Sequence, residues 1–121
     1  MVLPSGMVIA RSWSARATSE GAHAYVHYFQ ETLVPALARL DGFLGASICQ
    51  RARDALIDLL VVTRWVSLDA IRGFAGNEYE RAVVEPEARA LLVSFDDRVE
   101  HRTVVLEAAR DASGRFVATE P

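Results

Sequence analysis

The run Leu56-Ile57-Asp58-Leu59-Leu60-Val61-Val62-Thr63-Arg64-Trp65-Val66-Ser67 constrains this chain more than any other segment, because it is apolar on both sides of an extended backbone. Such a strand belongs in the middle of a sheet with cover on each face. Phe43 to Arg51 is a second strand-like run, set apart from the first by Ala52-Arg53-Asp54-Ala55, a polar link of hairpin length. Antiparallel pairing of the two is expected.

The rest of the chain supplies the partners. Met7 to Arg16 alternates, with Ile9, Arg11 and Trp13 on one side and Val8, Ala10, Ser12 and Ser14 on the other, which predicts a first strand. Thr18 or Ser19 followed by Glu20 marks a helix start, after which Ala22, Tyr25, Val26, Phe29, Leu33, Ala36, Leu37 and Leu40 recur at helical spacing. Pro35 should kink the last turns of that helix, and Asp41-Gly42 should end it. Ser67 caps a short helix over Leu68 to Phe74, Glu78 to Val93 reads as a further helix interrupted by Pro86, and Arg98 to Glu107 alternates as a last strand. The order β-α-β-β-α-β, with the second helix split, predicts an α+β, ferredoxin-like fold with a four-stranded antiparallel sheet. Helices then cover one face of the sheet. The other face needs a partner, and a second copy of the chain is the economical one, giving a dimeric α+β barrel.

A length of 121 residues fits one domain, with a core over 7–107 and a turn-rich tail or arm over 108–121. The net charge of −3, with basic residues scattered rather than clustered, disfavours nucleic-acid binding. No apolar run of about 20 residues is present, and Met1-Val2-Leu3-Pro4-Ser5-Gly6 lacks the charged and apolar regions of a leader, so no membrane partner and a cytoplasmic location are expected. The lone Cys49 agrees with a reducing compartment and is expected to be a buried strand residue rather than a nucleophile.

Several segments resemble the antibiotic biosynthesis monooxygenase group of dimeric α+β barrel proteins. They are Ile9-Ala10-Arg11-Ser12-Trp13, Leu40 to Ala46, Trp65-Val66-Ser67-Leu68-Asp69-Ala70-Ile71-Arg72-Gly73-Phe74-Ala75-Gly76, Ala82-Val83-Val84-Glu85-Pro86 and Val99-Glu100-His101. The resemblance implies an oxidoreductase with no metal, flavin or haem as cofactor, oxidising an electron-rich aromatic or quinol-like metabolite in a cavity between sheet and helices. Such chemistry needs a base or hydrogen-bond partner for a phenol and a dry pocket. A haem-degrading branch of the superfamily uses an Asn, a Trp and a His. Its positions fall on Ser12, Phe74 and Val84 here, so none of the three is kept.

On this reading Tyr25, Phe29, Trp65 and Tyr79 are expected to line the pocket and bind substrate, with His101 and Arg11 as the catalytic pair. A neutral imidazole at His101, pKa near ~6.5, would accept a phenolic proton, although a satisfied structural histidine fits the same position. Trp65 would offer its indole N–H to a substrate oxygen, or simply pack. Arg11 would neutralise an enolate or phenolate. Arg64, in the middle of the apolar strand, calls for an ion partner such as Asp58 or a carboxylate of the second copy. Tyr28 lies beside the apolar face of its helix. His23 and His27 have the i, i+4 spacing of metal ligands but fall on the polar face, so no metal is expected. No phosphate loop, Gly-x-Ser-x-Gly turn or Cys-x-x-Cys is present. The alternatives are a non-catalytic, stress-associated dimer binding a hydrophobic ligand and a cofactor-free isomerase or cyclase on the same fold.

Overall fold

The computed structural model describes residues 8–119. The reading of Met1 to Gly6 as lacking a leader, and Met7 as the start of the first strand, lie outside the described residues. The elements are β1 (Ile9–Ala17), α1 (Ser19–Tyr28), a π-helical turn (Phe29–Leu33), α2 (Val34–Leu37), β2 (Phe43–Arg53), β3 (Leu56–Trp65), α3 (Leu68–Ala75), α4 (Pro86–Arg89), β4 (Ser94–Phe95), β5 (Glu100–Thr103), β6 (Glu107–Arg110) and β7 (Phe116–Thr119).

The apolar run Leu56–Trp65 is indeed central, since β3 lies between β2 and β1 in an antiparallel sheet of order β2-β3-β1-β4, with β5 also along β1. This is the ferredoxin-like arrangement. Odd-numbered residues of β1 and β3 face the helices, and Ile9, Arg11, Ala15, Ala17, Leu59, Val61, Thr63 and Trp65 are buried there. Tyr25 and Phe29 from the first helix and Ile71 from α3 close over them. Even-numbered residues form an open face, on which Leu60 is 42% exposed. Cys49 pairs with Leu60 in the β2–β3 register and is exposed, because it points to that open face rather than into the core.

Local signals set the boundaries. Thr18 Oγ1 accepts from Gly21 N–H at 3.0 Å and Ser67 Oγ from Ala70 N–H at 3.1 Å, which caps α1 and α3. The bend expected at Pro35 takes the form of a wide π turn, in which Val34 N–H reaches back to the Phe29 carbonyl. Gly42 has φ +86, and a Cβ there would sit 2.6 Å from that of Ala70, so only glycine fits this helix exit. The link between β2 and β3 is only Asp54-Ala55, both at positive φ (51 and 67), the backbone of a tight two-residue hairpin turn.

Besides the burial expected of Cys49, two further expectations fail. Glu78 to Val93 is not a helix apart from the single turn of α4. Residues 80 to 82 instead pair with the Asp97–Val99 segment, through Val99 N–H to Glu80 O and Ala82 N–H to Asp97 O, both 2.8 Å. Glu85 is held extended by the following Pro86, which blocks helix on its N-terminal side. The strand expected over Arg98 to Glu107 is shortened to β5, Glu100–Thr103, while β4 precedes it along the same edge of β1 and Glu107 opens β6. The tail beyond Val104 forms a β6–β7 hairpin, on which Phe116 (64%) and Val117 (46%) are exposed.

Candidate functional site

A cavity of about 90 Å³ lies between the sheet and the helices. Its walls are mostly aromatic and aliphatic, with Trp13 and Val61 from the sheet, Tyr25, Tyr28 and Phe29 from the first helix, and Phe74 from the end of α3. The irregular segment after α3 contributes Val83, Val84 and Glu85. Arg11 is the cationic group in this wall, and it is only 5% exposed.

Buried guanidiniums usually require a carboxylate. Arg11 has none among the described residues. Nη1 donates to the Tyr79 carbonyl and to His101 Nε2, the latter at 3.0 Å, and Nη2 donates to the Arg81 carbonyl at 3.0 Å. Its charge also lies 5.7 Å from the Phe74 ring centre. Desolvation pulls its pKa down to about 10, which leaves it a cation at neutral pH.

A guanidinium offers no lone pair, so His101 Nε2 is the acceptor and the imidazole proton sits on Nδ1. Desolvation, and then the Arg11 charge, lower the His101 pKa, against a smaller opposing effect of Glu80. The neutral ring thus holds Arg11 in place. Its accepting nitrogen faces Arg11 rather than the cavity, so it is not free to take a substrate proton.

Of the residues singled out from sequence, Arg11, Tyr25 and Phe29 stand on the cavity wall, whereas Trp65, Tyr79 and His101 do not. Trp65 is fully buried behind Phe74, with ring centres 5.5 Å apart, and its indole N–H donates to Thr63 Oγ1 at 2.8 Å rather than toward a ligand. Tyr79 packs edge-on against His101 at 5.5 Å and lends Arg11 its backbone carbonyl. Burial, followed by the neighbouring Tyr28, raises the Tyr25 pKa, so its hydroxyl stays protonated. Burial also raises that of Tyr28, helped by Glu87 and Glu85.

Glu85 was not anticipated as a wall residue. The signal for it was the Glu-Pro step, which fixes an extended residue at the cavity rim. His23 and His27 are exposed, and no group of three or more metal-ligating side chains occurs among the described residues. Phe74 and Val84 are apolar and Ser12 faces the open side of the sheet, so this wall carries no iron ligand at those positions. Arg64 pairs with Glu107 at 3.9 Å instead of Asp58, which lies farther along the strand between Arg16 and Arg51.

An α+β protein with a ferredoxin-like antiparallel sheet, whose edge beside β1 is shared by β4 and β5, and a polar-headed apolar cavity is thereby defined. The fold is shared with solved structures. A Bacillus cereus protein assigned as an antibiotic biosynthesis monooxygenase superposes with a TM-score of 0.52 at 17% identity, over 88% of this chain and 100% of that one. A conserved protein from Methanosarcina mazei Go1 does so with a TM-score of 0.53 at 14% identity, over 83% and 93%. The chain thus has the fold of the antibiotic biosynthesis monooxygenase group, as the sequence resemblance implied. No protein-family profile matches it, and no curated protein sequence matches it. No helix among the described residues is long and apolar enough to cross a membrane.

Proposed function

We propose that this protein is a cofactor-independent monooxygenase that oxidises an aromatic or quinol-like metabolite as its anion. The observation that carries this reading is the buried Arg11, a cation with no carboxylate partner among the described residues, at the head of an aromatic cavity. A phenolate or enolate oxygen placed against Arg11 supplies the missing counter-charge, and low dielectric strengthens that attraction. The anion gives electrons to dioxygen, and a ring CH₂ becomes C=O as the second oxygen atom leaves in water. All electrons come from the substrate, so no further reductant enters. Glu85 is the carboxylate on the wall and takes the base role in this scheme. His101 positions Arg11 and does not itself touch the substrate.

The cavity is smaller than the ~150 Å³ that accommodates benzene in a dry core. A fused-ring substrate therefore enters only when the wall moves, and the Val83–Glu85 stretch is a part of the wall that lies in no helix or strand. The same smallness favours a second reading, a binding protein for a compact hydrophobic ligand that performs no oxygen chemistry. An isomerase or cyclase would use the same pair of charges without oxygen.

We also propose a homodimer through the open sheet face. Its rows Ala10–Arg64–Gly45, Ser12–Val62–Ser47 and Ser14–Leu60–Cys49 are largely small or apolar and uncovered.

Oxygen uptake by the metal-stripped protein, measured against small hydroquinones and anthrones, tests the monooxygenase. Uptake that falls about a hundredfold or more in Arg11→Gln supports it, given the usual worth of one buried charge-stabilising group. No uptake, with ligands still raising the melting temperature, would move the assignment to the binding protein. Solvent proton exchange or ring closure without oxygen would move it to the isomerase or cyclase.

A further inference from the structure

Thr63 is a buried polar residue whose hydrogen-bonding capacity the fold uses only in part. It stands directly opposite Arg11 in the β1–β3 register, on the helix-facing side of the sheet, and both residues belong to the wall of the aromatic cavity. Thr63 is only 8% exposed. Its Oγ1 accepts the indole N–H of Trp65 at 2.8 Å, and no other partner of this hydroxyl occurs among the described residues. A hydroxyl has a hydrogen of its own besides its lone pairs, so that hydrogen is still to be given. A buried donor left unused is costly, and an oxygen of a bound ligand is the acceptor that the cavity admits.

Arg11 has spare donors as well. Nη1 serves the Tyr79 carbonyl and His101, and Nη2 serves the Arg81 carbonyl. Nε–H and the second hydrogen of Nη2 then have no partner among the described residues. Unspent donors on two adjacent strands thus belong to one aromatic space. The indole N–H also polarises the hydroxyl that it meets, which makes Thr63 a better donor than an isolated threonine.

We propose that the Thr63 hydroxyl is a ligand-directed donor, giving its hydrogen to an oxygen of the bound aryl anion while Arg11 carries the counter-charge. The role rests on the anion reading of the cavity and adds a selectivity to it. A phenolate or enolate is taken up in preference to the neutral phenol, because the neutral form brings a further donor hydrogen to a site that already donates. Thr63 is on the covered side of the sheet, so pairing of two chains through the open face leaves the role unchanged.

Anaerobic absorbance titration of 4-nitrophenol bound to the full chain tests this. Its phenolate absorbs in the visible and spreads its charge over oxygens at both ends of the ring, so a donor at either end is registered. In the wild type the bound ligand is expected to have a pKa below its value in water. Thr63→Val keeps the shape and removes the hydroxyl, and is expected to weaken the preference for the phenolate about tenfold, a rise of about one pH unit in the bound pKa. Thr63→Ser should restore it. Thr63→Cys, whose sulfur still accepts from Trp65 but whose S–H donates weakly, should show the same rise and keeps the comparison open if the valine variant does not fold. A role confined to holding Trp65 would lower the melting temperature of Thr63→Val without moving the bound pKa. That outcome, with Arg11→Gln still raising the bound pKa, would overturn the role of Thr63 and leave the anion reading standing. A wild type that does not bind 4-nitrophenol, or binds it with the pKa it has in water, would overturn both.

Discussion

At the scale of single residues, Arg11 and His101 form a unit that sequence could list but not assemble. They sit opposite each other in the β1–β5 register, and their side chains share the helix-facing side of the sheet. The imidazole must stay neutral to accept from the guanidinium, since protonation would put two cations 3.0 Å apart. Its folded-state pKa is lowered, so as pH falls through about 6.5 the unfolded chain takes up a proton that the folded site refuses. Stability from this group is therefore complete above about pH 7.5 and declines on acidification. Urea unfolding at pH 7.5 and 5.5 should show a loss in the wild type that shrinks in His101→Gln, whose amide oxygen accepts from Arg11 without titrating. An identical pH slope in the variant would separate His101 from the effect.

At the scale of elements, the two-residue turn between β2 and β3 is the clearest case of backbone demand exceeding side-chain preference. Asp54 tolerates positive φ, but Ala55 at φ 67 has a Cβ that crowds the adjacent carbonyl. Ala55→Gly should accordingly stabilise the protein by about 1 kcal/mol, read as a shift in the urea midpoint at constant m. A destabilised variant would mean that the loss of unfolded-state restriction outweighs the relieved strain. The long first helix was legible from its apolar spacing and Thr18 cap. The π turn was not, because its cause is the missing N–H of Pro35 acting together with the need to keep Phe29 and Leu37 on the core. Glu78 to Val93 was misread for a related reason. Its apolar residues recur at helical spacing, yet Pro86 and the ladder with Asp97–Val99 hold its backbone elsewhere.

At the scale of the whole molecule, one face of the sheet is covered and the other is not. The open face sets Leu60 at 42% exposure on a central strand, a position that solvent rarely keeps. Sedimentation equilibrium should find a dimer, and Leu60→Glu should weaken it by a factor of ten or more, since a carboxylate buried at an interface lacks a partner. A wild type that sediments as a single chain would refute the pairing. What the sequence determined by itself was the order of elements from β1 to α3, the central place of Leu56–Trp65, the caps of α1 and α3 and the side of β1 on which Arg11 lies, because all of these follow from local periodicity and backbone chemistry. Only the tertiary structure decided that Trp65 turns its N–H to Thr63, that His101 accepts from Arg11 and that Glu85 reaches the cavity. Those outcomes depend on pairing register and on which donors and acceptors burial leaves within reach, and neither is encoded in the spacing of residues along one strand.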